Sequence, residues 1–372
     1  MRKGWEYKKL GEVGTFLRGK NILKSDFVEK GLPCIHYGQI HTKFGISTDT
    51  HLTETSQEVY DKAIIASKND VLIAITSEDL EGSCKATAWL GDYDVAVSAH
   101  AAVFKHNLNP KYIVYYLKSQ SFYIEKSKYA RGFKVMEIKP TDIAKIPIPI
   151  PPKSTQLAIV SELDKINELI RLKKEQLKDF DNLAQSLFYE MFGDPVEKEK
   201  GWEVKKLGEI CEIFAGGDKP KDMCEIKNNE YIYPVIANGE GEKGILGYTK
   251  NCRVTKEAVT IGARGASIGN CRIVKNGFTP AIRLLTLIPT GSIDCCFLYY
   301  FVKDLNYKQN GAGQAQLTVP NIKCEFIPLP PLSLQHLFAQ RIEQIEREKS
   351  EVQKSIQDLE TLLASRMQYW FE

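Results

Sequence analysis

The amino-acid sequence predicts an α+β fold in which two globular domains with small mixed sheets are separated by two long helices that pair as an antiparallel coiled coil. Two stretches of the chain carry apolar residues four and three positions apart, which is the heptad pattern of paired helices. A proline-rich leader precedes each stretch, and the opening GWEYKKLGE at Gly4 returns as GWEVKKLGE at Gly201. The chain is therefore an internal duplication, for which we expect pseudo-two-fold symmetry.

The first long helix is predicted to begin directly after Pro152, because the prolines before it lack amide donors and disfavour helix. Ser154 or Thr155 would cap this helix, and Gly193 and Pro195 would end it. Its apolar seam consists of Ile159, Leu163, Ile166, Ile170, Leu177, Phe180, Ala184, Leu187 and Met191.

The second long helix repeats the first. Its leader PLPPLSLQ matches PIPPKSTQ, and this alignment places Gln335 on Gln156 and seam positions on seam positions. The shared register argues against two unrelated amphipathic helices on separate cores, so we predict that the helices are partners. Lys173, Lys349 and Arg366 interrupt the seams, and we interpret their long side chains as register-setting. The second seam consists of Phe338, Ile342, Ile345, Val352, Ile356, Leu359, Leu363 and Trp370.

Each globular domain is predicted to contain a short apolar strand, a second strand after a turn, and a tyrosine-rich helix. In the first domain these segments are DVLIAITSE, DYDVAVSAHAAVF and NPKYIVYYLKSQSF, and in the second AVTIGARGASIGNCRIV, FTPAIRLLTLIP and DCCFLYYFVKDL. This succession indicates a mostly antiparallel or barrel-like sheet. The predicted boundaries are a globular domain at 1–152, a helix at 153–193, a linker at 194–200, a second globular domain at 201–331 and a second helix at 332–372.

Composition indicates a folded, soluble protein, since 43% of the 372 residues are hydrophobic and 26% are charged. The N-terminus does not resemble a signal peptide, and no apolar run reaches the roughly 18 residues of a membrane span, so we expect a cytoplasmic protein, and the family resemblance given below implies a prokaryotic one. The nine cysteines are scattered and never form a C-x-x-C arrangement. Their pattern favours reduced thiols over a zinc site.

The net charge of +3 is unevenly distributed along the chain. Residues 1–150 carry 21 Lys and Arg against 17 Asp and Glu, and residues 201–331 carry 16 against 13. The helical segments are mildly acidic, with 8 against 10 in residues 151–200 and 5 against 7 in residues 332–372. An excess of positive charge in the globular domains favours an anionic partner such as nucleic acid.

Motifs for nucleotide binding or catalysis are incomplete. GTFLRGKN places Asn21 where a phosphate loop needs Ser or Thr, and GEGEKG is not followed by a helix. The six histidines are dispersed. We interpret the carboxylate pairs, Glu78 with Asp79 and Glu240 with Glu242, as solvated loop charges rather than as a nuclease site. The sequence therefore predicts neither a catalytic site nor a bound metal.

Glycine-containing loops in both domains carry residues suited to nucleic-acid contact. Glycine allows the backbone to approach phosphates, while Arg, Lys, Gln and Asn can reach base edges. Each position taken singly is also compatible with a solvated surface residue, but the set recurs at matching places in both copies. The candidates are Arg18, Lys20, Tyr37, Gln39, Arg131 and Lys134 in the first domain, and Lys219, Lys221, Asn238, Tyr248, Arg264, Gln314 and Gln316 in the second.

The duplicated openings, the two proline leaders and the two heptad helices resemble the specificity (S) subunit of type I restriction-modification systems over essentially the whole chain. The resemblance implies two target-recognition domains, each reading one half of an asymmetric, interrupted site in double-stranded DNA. It also implies helices that set the spacing and dock two methyltransferase (M) subunits, with restriction (R) subunits joining the complex. S-adenosylmethionine, ATP and magnesium would belong to those partners, so this chain would be non-catalytic.

Two alternatives stay open on the sequence alone. One is a coiled-coil scaffold that organises partners without reading DNA, and the other is the S subunit of a related restriction-methylation system. A free-standing nuclease or NTPase is disfavoured by the incomplete motifs. The two half-site sequences and their gap do not follow from the sequence, because base choice depends on loop geometry.

Overall fold

The computed structural model describes residues 4–132, 135–194, 200–239, 244–305 and 317–372. The chain forms two units, Met1–Lys173 with Ser355–Glu372, and Lys174–Lys354. Each unit combines small sheets and short helices with a stretch of both long helices. The predicted α+β fold class is confirmed.

The first unit contains two sheets with strand orders β2-β12-β8-β10-β5 and β3-β6-β4-β11-β7, and the pairs β1-β14 and β13-β9. Its strands are β1 (Glu6–Lys9), β2 (Gly14–Arg18), β3 (Phe27–Val28), β4 (Leu32–Ile35), β5 (Ser47–Thr48), β6 (Thr53–Thr55), β7 (Ile64–Ala66), β8 (Val71–Ala74), β9 (Thr76–Ser77), β10 (Ala86–Trp89), β11 (Val95–Val97), β12 (Ala101–His106), β13 (Met136–Glu137) and β14 (Pro147–Ile150). Its helices are α1 (Leu10–Val13), α2 (Tyr37–Thr42), α3 (Gln57–Lys62), α4 (Pro110–Leu117), α5 (Gln120–Ser127), α6 (Pro140–Ile143) and the start of α7 (Lys153–Phe192).

The strand β8 shows how the first unit builds its core. Because side chains alternate along a strand, Val71 and Ile73 join a cluster with helix α4, whereas Leu72 and Ala74 join a cluster with Trp89 between the two sheets. All four strand residues are fully buried. A strand covered on both faces needs a continuous apolar run, which is what VLIA provides.

The second unit contains sheets with strand orders β16-β22-β19-β20 and β18-β17-β21, and the pair β15-β23. Its strands are β15 (Glu203–Lys206), β16 (Cys211–Ala215), β17 (Tyr233–Ile236), β18 (Ile245–Thr249), β19 (Ala258–Ile261), β20 (Cys271–Val274), β21 (Thr279–Pro280), β22 (Leu285–Pro289) and β23 (Phe326–Leu329). Its helices are α8 (Leu207–Ile210), α9 (Cys295–Asp304), α10 (Val319–Cys324), the end of α7 and the first part of α11 (Leu332–Phe371).

An aromatic cluster joins the two long helices within the second unit. The ring centroids of Phe192 and Phe297 lie 4.7 Å apart, and Phe338 lies 5.7 Å from Phe188 and 5.3 Å from Phe192. Edge-to-face contacts of this kind add to the free energy of burying the rings. Residues late in α7 therefore contact a residue early in α11, which is the predicted antiparallel direction.

Ion pairs occupy two of the polar positions that interrupt the seams. Lys349 Nζ lies 2.8 Å from an Asp181 carboxylate oxygen. Arg366 donates two hydrogen bonds to the Glu162 carboxylate, and Trp370 Nε1 donates a third at 2.9 Å. The Arg366 hydrogen bonds hold the pKa of Glu162 below its usual value. Long polar side chains are thus accommodated at the seam edges by charged partners on the facing helix.

The seam residues differ in burial. A heptad seam is expected to be least exposed where facing helices or a domain core cover it. Those that are buried are Ile159, Leu163, Ile166, Ile170, Ala184, Leu187, Phe338, Ile342, Ile345, Val352 and Ile356, while Leu177, Phe180, Met191, Leu359, Leu363 and Trp370 are half-buried.

Helix α7 begins at Lys153, so the expected cap at Ser154 or Thr155 is wrong. Both residues already lie in the first helical turn, where the Pro152 carbonyl accepts hydrogen bonds from the N–H groups of Thr155 (2.9 Å) and Gln156 (3.0 Å). Pro152 has no amide hydrogen to satisfy, which suits a residue just before a helix.

Two segments predicted as single strands are each divided between two sheets. DYDVAVSAHAAVF forms β11 and β12, and FTPAIRLLTLIP forms β21 and β22. The backbone turns at His100 in the first segment and at Ile282 and Arg283 in the second, all with positive φ. The predicted helix NPKYIVYYLKSQSF is likewise two helices, because α4 ends at Leu117 and Ser119 caps α5, where its Oγ accepts a hydrogen bond from the Phe122 N–H.

The two repeated sequence motifs of each unit are strand partners. β1 of the opening pairs antiparallel with β14 of the leader, from Glu6 opposite Ile150 to Lys9 opposite Pro147. β15 and β23 pair in the same way in the second unit. Proline is tolerated in such two-stranded pairs because its missing N–H faces away from the partner.

A buried glutamine fixes the start of each long helix to its globular sheet. Gln156 is 2% exposed and Gln335 is fully buried. Their Oε1 atoms accept hydrogen bonds from the backbone N–H of Asn109 (3.1 Å) and Asp294 (2.8 Å), the residues that cap α4 and α9. Their Nε2 atoms donate to the carbonyl of the leader proline five positions earlier, at 2.9 and 2.8 Å. We call this pair of contacts the glutamine bracket.

Replacing Gln335 by alanine is expected to lower the free energy of unfolding by about 1–3 kcal/mol, because the Asp294 N–H and the proline carbonyl would be left unsatisfied in a buried site. Urea denaturation followed by circular dichroism measures this loss. The matched control is Gln344→Ala on the same helix, where the side chain is exposed and its bond to Glu348 is 3.4 Å long. Equal stability of the two variants would contradict the role of the bracket.

Candidate nucleic-acid interface

Two arginines proposed from the sequence contact Glu137 in the first unit, Arg18 through its side chain and Arg131 through its backbone. Arg18, the last residue of β2, lies 3.0 Å from the Glu137 carboxylate. Arg131 exchanges both backbone hydrogen bonds with Glu137, at 3.1 and 2.9 Å, and its side chain is exposed. The Arg131 guanidinium lies 3.9 Å from the Asp142 carboxylate instead.

Lys20 and Tyr37 meet at Ser98. Lys20 forms an isolated parallel bridge with Ser98, and the Tyr37 N–H donates to Ser98 Oγ at 2.9 Å. The side chain of Lys20 is exposed and that of Tyr37 is half-buried. These two candidates are brought together although Lys20 lies on the loop after β2 and Tyr37 begins helix α2.

Three histidines that the sequence did not single out surround Tyr37. The ring centroids of His36, His41 and His100 lie 4.4, 6.1 and 5.2 Å from that of Tyr37. Burial, together with nearby positive charge, lowers the pKa of His36, so its ring is neutral at pH 7. The histidines looked dispersed because His100 lies far from the other two in sequence, and no spacing signal could have joined them.

Gln39 is held by internal hydrogen bonds. Its Oε1 accepts from the His36 N–H at 3.0 Å, and its Nε2 donates to Thr53 Oγ1 at 3.2 Å. This arrangement fixes the first turn of α2 beneath Tyr37. Lys134, the remaining candidate of this domain, lies outside the described residues.

A cavity of about 670 Å³ opens beside Tyr37 and His41. Its wall includes Glu78 and Asp79, and the Asp79 carboxylate accepts a hydrogen bond from the Gly82 N–H at 2.6 Å. Within the described ranges, no group of His, Cys, Asp and Glu side chains is arranged to hold a metal ion. The Asp79 carboxylate therefore shapes its loop.

In the second unit, Asn238 joins two loops. Its Nδ2 donates to the Ile282 carbonyl at 2.8 Å, and its Oδ1 accepts from the Ala263 N–H at 2.9 Å. Arg264 directly follows Ala263, and its side chain is exposed. Asn238 thus positions both the loop that carries Arg264 and the turn at Ile282.

The other candidates of the second domain form a separate group. Lys219 and Lys221 are exposed on the segment after β16, and Tyr248 is half-buried in β18. The backbone of Tyr248 exchanges hydrogen bonds of 2.9 and 2.7 Å with Cys224, three residues after Lys221. Gln314 and Gln316 lie outside the described residues.

Some candidates of both units lie just after the end of a strand. Tyr37 follows β4 and Asn238 follows β17, and these two strands occupy equivalent places, each paired in parallel with the strand before a positive-φ turn. The segment that contains Arg18 and Lys20 in the first unit corresponds to the segment that contains Gly217 in the second. Lys20 forms a parallel bridge with Ser98, and Gly217 forms the equivalent bridge with Ala281. We define the strand-end surface by its residues, which are Arg18, Lys20, Tyr37 and His100 in the first unit and Asn238, Arg264, Ile282 and Arg283 in the second.

The buried thiols Cys84 and Cys211 are poorly suited to nucleophilic chemistry. All nine cysteines are free, and burial raises the pKa of Cys84 and Cys211 to about 12. A thiol with so high a pKa carries almost no thiolate at neutral pH. In the part of the chain that the structure describes, the helices are too short or too polar for a membrane span.

Comparison with known proteins identifies related chains. The family described as "Type I restriction modification DNA specificity domain" matches residues 2–179 and 199–361. A relative from Mycoplasma pneumoniae, named as a type I specificity subunit (S.MpnORF89P), is 29% identical over 250 residues, which cover 64% of this chain and 73% of the relative. The specificity subunit of the type I restriction enzyme MjaVIII from Methanocaldococcus jannaschii is 22% identical over 404 aligned positions, covering 96% of this chain and 92% of the relative.

A solved structure shares the fold. It comes from work on complex assembly and conformational transition of the type I R-M system, and its chain superposes with a TM-score of 0.66 at 20% identity. The superposition covers 100% of this chain and 98% of that chain. At this identity the likeness concerns the fold alone.

Replacing Asn238 by alanine is expected to lower the free energy of unfolding of the chain by about 1–3 kcal/mol, since two backbone groups would lose their partner. Asn229→Ala is the control, because Asn229 is exposed in the same unit. Urea denaturation compares the two variants. If they were equally stable, Asn238 would not be the structural link between its two loops.

Proposed function

Because this chain belongs to the family of type I restriction modification DNA specificity domains, we propose that it selects the DNA site of a type I restriction-modification complex. Each of its two globular domains reads one half of an asymmetric, interrupted sequence. The chain itself catalyses no reaction. Its long helices set the distance between the two globular domains and dock the partner subunits.

The duplication of the strand-end surface carries this proposal. Both units build it on equivalent strands, but they present different side chains, with Tyr37 and His100 in one and Ile282 and Arg283 in the other. A common frame with different polar side chains suits the recognition of two different half-sites, because base edges are distinguished by their donor and acceptor patterns. The excess of Lys and Arg in residues 1–150 and 201–331 favours the approach of DNA.

The chemistry belongs to partner subunits. Two methyltransferase subunits bind S-adenosylmethionine, and the base to be methylated is flipped out of the duplex into a methyltransferase pocket. Restriction subunits supply the ATP- and magnesium-dependent steps.

Selection from random DNA duplexes tests the proposal. The purified chain with its methyltransferase partner is expected to enrich one bipartite sequence with a fixed gap. A scaffold that does not read DNA would enrich none, and that outcome would overturn the proposal. The methyltransferase alone is the control, and it is expected to enrich no bipartite site.

The spacing role predicts the outcome of lengthening both helices. Insertion of one heptad after Lys174 and another after Gln353 keeps the apolar seams in register and lengthens each helix by about 10 Å. This length corresponds to roughly three base pairs of duplex. We expect the same two half-sites with a longer gap, or lost DNA binding in a chain that still folds and docks its partner, because three base pairs also rotate the duplex by about 100°.

Methylome sequencing of cells that carry the variant measures the gap. A heptad inserted after Lys174 alone is the control, since it shifts the register of one helix against the other and should impair folding. Methylation of the original site with its original gap at full strength would show that the helices do not set the spacing.

A further inference from the structure

Each unit contains a turn in which residues other than glycine adopt a left-handed backbone. His100 has φ 67° between β11 and β12, and Ile282 and Arg283 have φ 49° and 59° between β21 and β22. Positive φ is uncommon for non-glycine residues, and for a β-branched residue such as Ile282 it is a genuine outlier. We call these turns the crossing bends, since each one carries the chain from one sheet of its unit to the other.

Matching backbone hydrogen bonds hold the two bends. Before the bend, the N–H of Ser98 donates to the Ile35 carbonyl at 3.1 Å, and the N–H of Ala281 donates to the Ile236 carbonyl at 2.8 Å. After the bend, the Ala101 carbonyl accepts a hydrogen bond from the Gly19 N–H at 2.9 Å. In the second unit the Leu284 carbonyl accepts the equivalent bond from the Gly216 N–H at 2.8 Å. The unusual backbone is thus imposed by the surrounding structure.

A glycine at the equivalent position of each unit permits its bend. A Cβ atom on Gly19 would lie 2.1 Å from the Ser98 carbonyl oxygen, and one on Gly216 would lie 2.7 Å from the Ala281 nitrogen. Contacts this short exclude any side chain at either position. Both units therefore contain a turn with a strained backbone and the glycine that this turn requires.

The side chains at the bends are turned outward. Ala281 before the bend and Leu284 after it are buried, whereas Ile282 is 43% exposed and Arg283 is exposed. Among the described residues, the Arg283 guanidinium has no ion-pair or hydrogen-bond partner. The backbone hydrogen bonds, and not the packing of these two side chains, hold the strained backbone, and strained positions cluster at functional sites.

The crossing bends lie within the strand-end surface. The His100 ring is 5.2 Å from the Tyr37 ring, and the Ile282 carbonyl accepts a hydrogen bond of 2.8 Å from Asn238. Asn238 is thus a positioning residue, because both ends of its amide are used to hold neighbouring loops.

We propose that the crossing bend is the base-reading element of each unit, with Arg283 donating to the N7 and O6 atoms of a guanine and Ile282 contacting a thymine methyl group in the major groove of the second half-site. This inference rests on the proposed function. Arginine suits guanine because its guanidinium matches the two acceptors, and an exposed aliphatic side chain suits the methyl group that distinguishes thymine. His100 takes the equivalent place for the first half-site.

The test measures binding of the chain with its methyltransferase partner to the selected duplex and to all single-base variants of both half-sites. Arg283→Gln is expected to reduce discrimination about ten-fold or more at one guanine of the second half-site and to leave the first half-site unchanged. His100→Asn keeps a residue that tolerates positive φ and should alter preferences in the first half-site alone.

Lys275→Gln is the matched control. It removes the same charge from an exposed residue just after β20, at the opposite end of the paired strands β19 and β20 from Arg264. Its base preferences are expected to equal those of the wild type. If Arg283→Gln weakened binding to all sequences equally and flattened the salt dependence, Arg283 would contact a phosphate, and the proposal would be overturned.

A glycine variant separates reading from folding. Arg283→Gly relieves the left-handed backbone, so it is expected to raise the thermal unfolding midpoint while losing the same guanine preference. A lower midpoint with unchanged base preference would contradict the proposal. Failure of the wild-type chain to enrich any sequence would instead overturn the proposed function, so the two failures are distinguishable.

Discussion

The glutamine bracket is the interaction on which the rest of each unit depends. One buried amide satisfies the N-terminal cap residue of a tyrosine-rich helix and a carbonyl of the proline leader, and its own backbone belongs to the first turn of a long helix. In a buried site an amide with both ends bonded is stable only in one geometry, since any displacement leaves polar groups unsatisfied. Gln156 and Gln335 thereby fix the position of each helix start against its own sheet.

The strand pair of opening and leader acts beside the bracket. β1 with β14, and β15 with β23, tie the first residues of each unit to the segment just before a long helix. The motifs that recur in the sequence are therefore neighbours in space. Their repetition reflects the same strand pair, formed once in each unit. A heptad seam with ion pairs at Arg366 and Lys349 then extends from a helix whose start is already fixed.

The strand-end surface shows how one backbone frame carries two sets of side chains. Gly19 and Gly216 allow the same close approach, and matching backbone hydrogen bonds hold the same turn. On this frame the first unit presents a tyrosine with three histidines, while the second presents an asparagine used for positioning and exposed Ile282 and Arg283. Because the frame depends on backbone atoms and glycine, its exposed side chains are free to differ, which is what the proposed recognition of two distinct half-sites requires.

The sequence by itself determined the duplication, the two long helices with their antiparallel pairing and the α+β class, because heptads, prolines and repeated motifs are local patterns with direct structural consequences. It also named Arg18, Lys20 and Tyr37 as candidate nucleic-acid contacts in loops. Only the tertiary structure divided the predicted strands at His100 and Ile282, gave Asn238 its structural bonds and brought the histidines around Tyr37. These features depend on hydrogen bonds and contacts between residues that are distant in sequence, and a local pattern holds no information about such partners.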